Sequence, residues 1–174
     1  CQATVDTPFE VPVRGRTQAD HLPIFGDVFG FRALELFTRA ETSADIPLAV
    51  TTADTFLPAH PHVLAAPGMR ADIWPWLTQE GGFPVTAQAL RLGEMAWVTM
   101  PGEVQHSFGA RLAEQSPLAF TRVIGMADQE VGYVLWPQSR ARGGYEADLD
   151  QWALTAEEAL DLLLQAGREA LAGL

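Results

Sequence analysis

The chain has no lysine and no asparagine, a single cysteine and two tyrosines among its 174 residues. Without asparagine there is no acceptor for N-glycosylation. One cysteine closes no internal disulfide, and no cysteine cluster is present to hold zinc or an iron–sulfur centre. No apolar run approaches the roughly 18 residues of a membrane-spanning helix, so no transmembrane segment is expected. The opening residues also lack the basic and apolar stretches of a signal peptide. Positive charge is scarce: 11 arginines stand against 22 acidic residues, for a formal charge of -11. That field repels phosphate and argues against a nucleic-acid partner or a polybasic membrane anchor.

What is present suits an ordinary globular fold, with 48% apolar residues in 174. The chain opens on Cys1 rather than methionine, which is read as truncation of a longer polypeptide. The alternative is that Cys1 is the lipid-bearing first residue of a mature bacterial lipoprotein. In that case the chain is a membrane-tethered module without catalytic activity.

Residues 1–26, with Pro8, Pro12, Pro23 and the alternation Phe9, Val11, Val13, read as extended. The apolar positions Phe29, Leu34, Leu36 and Phe37 suit a helix or a strand equally. Ile46 to Val50 reads as a short strand followed by a polar stretch, Thr51 to Thr55. Five prolines and three glycines deny residues 57–84 any long regular element and predict a long loop. That loop carries Trp74 and Trp76, whose indoles would line an apolar substrate groove or pack the loop onto its own core.

The second half is more regular. Val85–Leu92 and Met95–Met100 flank Gly93-Glu94 as a hairpin. Val104, Phe108, Leu112 and their neighbours recur at helical spacing up to Ser116-Pro117, and Phe120–Met126 reads as a buried strand. Gly132–Trp136 is a further strand. Thr155-Ala156-Glu157-Glu158 reads as a capping box before a helix that buries Leu160, Leu163, Leu164, Gly167 and Leu171. The alternation of strands and helices predicts an α/β fold, a mixed sheet with flanking helices.

In such folds chemistry gathers at strand ends. One strand ends in Met100-Pro101-Gly102-Glu103, which places Glu103 at the start of a helix, where the positive end of the helix favours an ionised carboxylate. The side chain would there cap the helix or ligate a metal. A second strand ends in the acidic loop before Gly132-Tyr133, and Tyr145-Glu146 follows; the two phenols pack or take part in a site.

The ordered set Leu92-Gly93, Pro101-Gly102-Glu103, Gly109-Ala110-Arg111-Leu112, Ile124-Gly125, Gly132-Tyr133-Val134 and Tyr145-Glu146 resembles the C-terminal part of the catalytic domain of neutral/alkaline non-lysosomal ceramidases. The resemblance covers residues 84–172. It implies that residues 1–174 are the C-terminal portion of a larger catalytic domain, with no immunoglobulin-like domain, from a short bacterial homologue. The family cleaves the N-acyl bond of ceramide with zinc. By resemblance Glu103 and Tyr133 are zinc ligands and Tyr145 contacts the substrate at the scissile amide. The remaining ligands are histidines expected in the upstream part of the same polypeptide. The implied substrate is a lipid amide such as ceramide, and the implied location is secreted, periplasmic or peripheral at the membrane surface. The chain departs from the family in Val104-Gln105-His106, where threonines are common, and in Leu135-Trp136-Pro137.

Zinc with an open coordination position lowers the pKa of water to about 7. A phenol placed like Tyr145 donates to the oxyanion that develops at an amide carbonyl. Of the histidines, His60 and His62 lie two residues apart on one side of an extended segment and would pinch a metal or simply face solvent. His106 would support Glu103 from one turn away. His21 has no discriminating context.

Overall fold

The computed structural model of the chain describes residues 18–68 and 70–174. These fall into two compact units, 18–46 and 47–174. Phe9, Val11 and Val13 lie outside the described residues.

The first unit is one helix, α1 (Gln18–Arg39), so residues 18–26 are helical rather than extended. Pro23 lies inside it and removes one backbone donor. The helix continues because Arg32, Ala33, Leu34, Glu35 and Leu36 are strong helix formers. Glu35 also pairs with Arg32 one turn before it and with Arg39 at 3.1 Å one turn after. The same helix includes Phe29 to Phe37, which decides between the two readings of that stretch.

The second unit is built on a four-stranded sheet in the order β1 (Leu48–Pro58), β2 (Gly82–Leu92), β3 (Met95–Thr99) and β5 (Phe120–Ile124). The first three are antiparallel and β5 runs parallel to β3. The expected hairpin forms at Gly93, whose φ of 62° suits glycine. Strand β1 is longer than expected. It runs through Thr51–Thr55 because it pairs with β2 along its whole length, from Leu48 opposite Leu92 to Pro58 opposite Gly82. Its threonines are at home on a pleated surface.

Between β1 and β2 the expected loop is instead three short helices, α2 (Pro61–Ala65), α3 (Arg70–Ile73) and α4 (Pro75–Glu80). Pro61 and Pro75 open α2 and α4, where a missing N–H costs nothing. After β3 come a two-residue strand β4 (Glu103–Val104), helix α5 (His106–Ala113) and β5. The chain then passes through β6 (Tyr133–Val134), α6 (Pro137–Arg142), a 3₁₀ turn (Tyr145–Ala147) and α7 (Ala159–Ala172).

Helix α7 packs on β1, β2 and β3 and buries Leu160, Leu163, Leu164, Gly167 and Leu171 together, as its periodicity predicts. A Cβ at Gly167 would lie 2.8 Å from Met100 Cε, so the glycine lets the helix sit close to the end of β3. The capping box does not form: Glu158 is the N-cap and caps with no side-chain bond. Thr155 is instead bridged to Ala59, and its buried hydroxyl has no partner among the described residues.

Helices cover one face of the sheet. Strand β5 lies at its edge, so of that strand only Thr121 is fully buried, while Phe120, Arg122 and Ile124 point away from the helices. No helix of the described residues is long and apolar enough to cross a membrane.

Candidate functional site

Two strand ends converge beyond the sheet. Met100 continues β3 by donating its N–H to Ile124 O at 2.9 Å, and Pro101-Gly102 then turns the chain sharply. Gly102 has φ 136°, and a Cβ there would lie 2.6 Å from Gly132 O. Gly132 has φ 79°, and a Cβ there would lie 2.0 Å from Trp152 O. Only glycine fits such close backbone approaches. They let Glu103 N–H donate to Gly132 O and Tyr133 N–H donate to Trp152 O, both at 2.9 Å. The result is the parallel pair β4–β6, with Glu103 directly opposite Tyr133. A strap formed by the loop after β5 holds this junction: Met126 and Ala127 donate their N–H groups to Gly102 O and Met100 O.

Residues opposite one another on paired strands point the same way, and here the Tyr133 hydroxyl donates to the Glu103 carboxylate. Tyr145, from the 3₁₀ turn, packs its ring edge-on to Tyr133 at 5.9 Å between centroids. Tyr133 is 8% exposed and Tyr145 60% exposed, so the pair has a buried phenol behind an open one. Three residues distant in sequence are thus brought to one place.

The electrostatics differ from the expectation. Helix α5 starts at His106 with Gln105 as N-cap, so Glu103 lies on a strand ahead of the helix and caps nothing. Burial raises its carboxyl above the ordinary range and the neighbouring negative charge of Glu146 adds to this, while the Tyr133 hydrogen bond opposes both. A desolvated carboxylate of this kind holds a proton or accepts a cation more readily than a solvated one.

Glu130 escaped the sequence reading, although the acidic loop containing it stood out. One of its carboxylate oxygens accepts Gly132 N–H at 2.6 Å; the other is buried without a partner among the described residues. Its backbone carbonyl accepts the Trp74 indole N–H at 2.9 Å. Trp74 is itself buried, edge-on to Phe83 and Trp152, which is the packing role of its two readings. Trp76 belongs to α4, and its side chain lies outside the described residues. A hollow of about 260 Å³ is bordered by Gln105, Leu135, Ser139, Arg142 and Glu146, the last next to Tyr145 in the chain.

The histidines lie elsewhere. His62 Nε2 meets Asp150 Oδ1 at 2.9 Å, while His60 Nδ1 accepts the His62 N–H, so the two rings do not converge on one point. His106 borders a separate hollow of about 350 Å³ with Thr121 and Arg122. Among the described residues no three His, Cys, Asp or Glu side chains come together as a metal cluster.

No family model and no curated protein matches the chain. Among solved structures, neutral ceramidase from Pseudomonas aeruginosa matches 97% of this chain and 34% of its own, with a TM-score of 0.58 and 15% identity. A structure described as ceramidase complexed with C2 matches 51% of this chain and 15% of its own, with a TM-score of 0.44 and 20% identity. The first likeness gives the chain a ceramidase-like fold of mixed sheet and flanking helices. The second is too slight to carry an argument. The chain spans about a third of the length of the Pseudomonas protein, 34%.

Proposed function

We propose that this chain is the C-terminal part of the catalytic domain of a zinc-dependent amide hydrolase of ceramidase type. Its substrate would be a lipid amide such as ceramide, met outside the cytoplasm or at a membrane surface. The observation that carries this reading is the junction of Glu103 and Tyr133 with Tyr145 at 5.9 Å from Tyr133. The fold likeness to a neutral ceramidase supports it.

The donor set fits half of a zinc site. Glu103 and Tyr133 offer two oxygen donors side by side, and the upstream part of the polypeptide would supply two histidines, leaving a further position for water. When bound, zinc contributes Lewis acidity and lowers the pKa of water to about 7.

The chain's own residues have separable tasks. Glu103 accepts the hydrogen bond of the Tyr133 hydroxyl, which holds the phenol oxygen beside the carboxylate. Tyr145, open to solvent, donates a hydrogen bond to the carbonyl oxygen of the amide as it becomes tetrahedral. The adjacent hollow receives part of the substrate beside the scissile bond.

In the complete gene product, Glu103→Gln should abolish zinc retention and amidase activity with the circular dichroism spectrum unchanged. Full zinc occupancy of that variant by elemental analysis would falsify the assignment.

A further inference from the structure

Among the described residues of the second unit, no helix lies on one face of the four-stranded sheet, and the side chains there form rows that the strand register defines. The first row is Leu48, Leu92, Met95 and Phe120, and the second is Val50, Leu90, Trp97 and Arg122. Leu48 is 66% exposed, Val50 62% and Phe120 58%, so these are large apolar groups in water. Scattered exposed apolar residues need no explanation, but a contiguous two-row patch marks an interaction surface.

Polarity along the same face is divided. Beyond the apolar rows the face becomes Thr52, Gln88, Thr99 and Ile124, then Asp54 and Thr86, and ends on Phe56 and Pro84. There Thr86 donates to Asp54 at 2.6 Å, and Thr99 donates to Asp128 at 3.1 Å. This polar half lies towards the strand ends that lead to Glu103. A sheet face meant for solvent alternates apolar-in and polar-out along every strand. Here two adjacent rows at the far end are apolar on the outward side at every position but Arg122. At the far end the single charge is Arg122, which has satisfied one N–H on the Thr121 carbonyl.

We propose that this apolar half is the docking face for the remainder of the catalytic unit, a polypeptide segment that presents apolar side chains to the two rows and a carboxylate to Arg122. The inference rests on the reading of the chain as one part of a larger hydrolase. It commits to that occupant because 97% of this chain matches a solved fold of which it makes up 34%, so about two-thirds of that larger fold has no counterpart here. Docking there would anchor the missing part by its apolar contacts while leaving the polar half and the Glu103–Tyr133–Tyr145 junction open to the ligands and substrate it brings.

The test is thiol labelling by a maleimide, in a Cys1→Ser background. Val50→Cys and Phe120→Cys probe the face, and Arg168→Cys, on the exposed side of α7, is the control. Both probe positions face outward, and the second keeps the result interpretable where the first fails to fold. In the 174-residue chain the probe thiols should react within a few-fold of the control. In the complete gene product they should react at least about 100-fold more slowly, reached only by local opening of a packed interface, with the control unchanged.

Equal labelling in both proteins overturns the proposal, as does a gene product with no polypeptide beyond these residues. Protection already present in the shorter chain also overturns it. If that protection rises with protein concentration a second copy is the occupant; if it does not, the chain covers its own face. Zinc content of the same longer protein separates the two readings. Protection without zinc refutes the hydrolase assignment and leaves the interface, whereas zinc without protection refutes the interface alone.

Discussion

At the scale of single residues the candidate site is marked by two carboxyl groups partly withdrawn from water. Glu103 and Glu130 both titrate above the ordinary carboxylate range, in each case first because burial penalises the charged form. For Glu130 repulsion from Glu103 acts in the same direction, against the hydrogen bond from Gly132. A carboxyl raised in the folded state opposes folding once it ionises. The stability it permits is complete below the unfolded carboxyl range and falls as pH rises through the raised value. Gln at this position does not titrate and keeps an oxygen to accept Gly132 N–H. The melting temperature of Glu130→Gln relative to the unsubstituted protein should therefore become more favourable between about pH 4 and about pH 8. Thermal melts across that range check this, and a difference constant with pH, or of opposite trend, refutes it.

At the scale of elements the molecule depends on α7. Its buried stripe closes the helical side of the sheet, and Leu163 is fully buried at its centre. Leu163→Ala should lower unfolding free energy by about 2–5 kcal/mol, read as a fall in urea midpoint, because the cavity left between a helix and a sheet collapses only in part. A loss under about 1 kcal/mol would show that α7 is not the keystone of the core. The stripe was legible in sequence because every member lies on one face of a single regular element. The capping box was not, because Thr155 forms a bridge to Ala59, a partner 96 positions away in sequence, and is buried before it can cap. Similarly β1 is prolonged through its polar residues by pairing with β2, an influence that local periodicity does not contain.

At the scale of the whole molecule the acidic chain, with charge -11, would offer the proposed zinc one carboxylate and one phenol only. The 174-residue chain by itself should retain no stoichiometric zinc after dialysis against metal-free buffer, by elemental analysis. Retention of one equivalent would mean that the chain completes its own site. Within the second unit the helices cover one side of the sheet, and the apolar Leu48, Val50 and Phe120 are exposed on the other.

The sequence by itself determined the hairpin at Gly93, the buried stripe of α7 and the alternation of strands and helices, and it singled out Glu103, Tyr133 and Tyr145 as candidates. Each of these depends on local spacing, on backbone chemistry, or on short motifs that persist in order along the chain. The tertiary structure decided what those residues are to one another. It moved Glu103 from a helix start to a strand, set it opposite Tyr133 through two glycines that permit backbones to touch, and raised its carboxyl by burial. Desolvation and cross-strand register depend on chain segments far apart in sequence, and so they arise only when the fold closes.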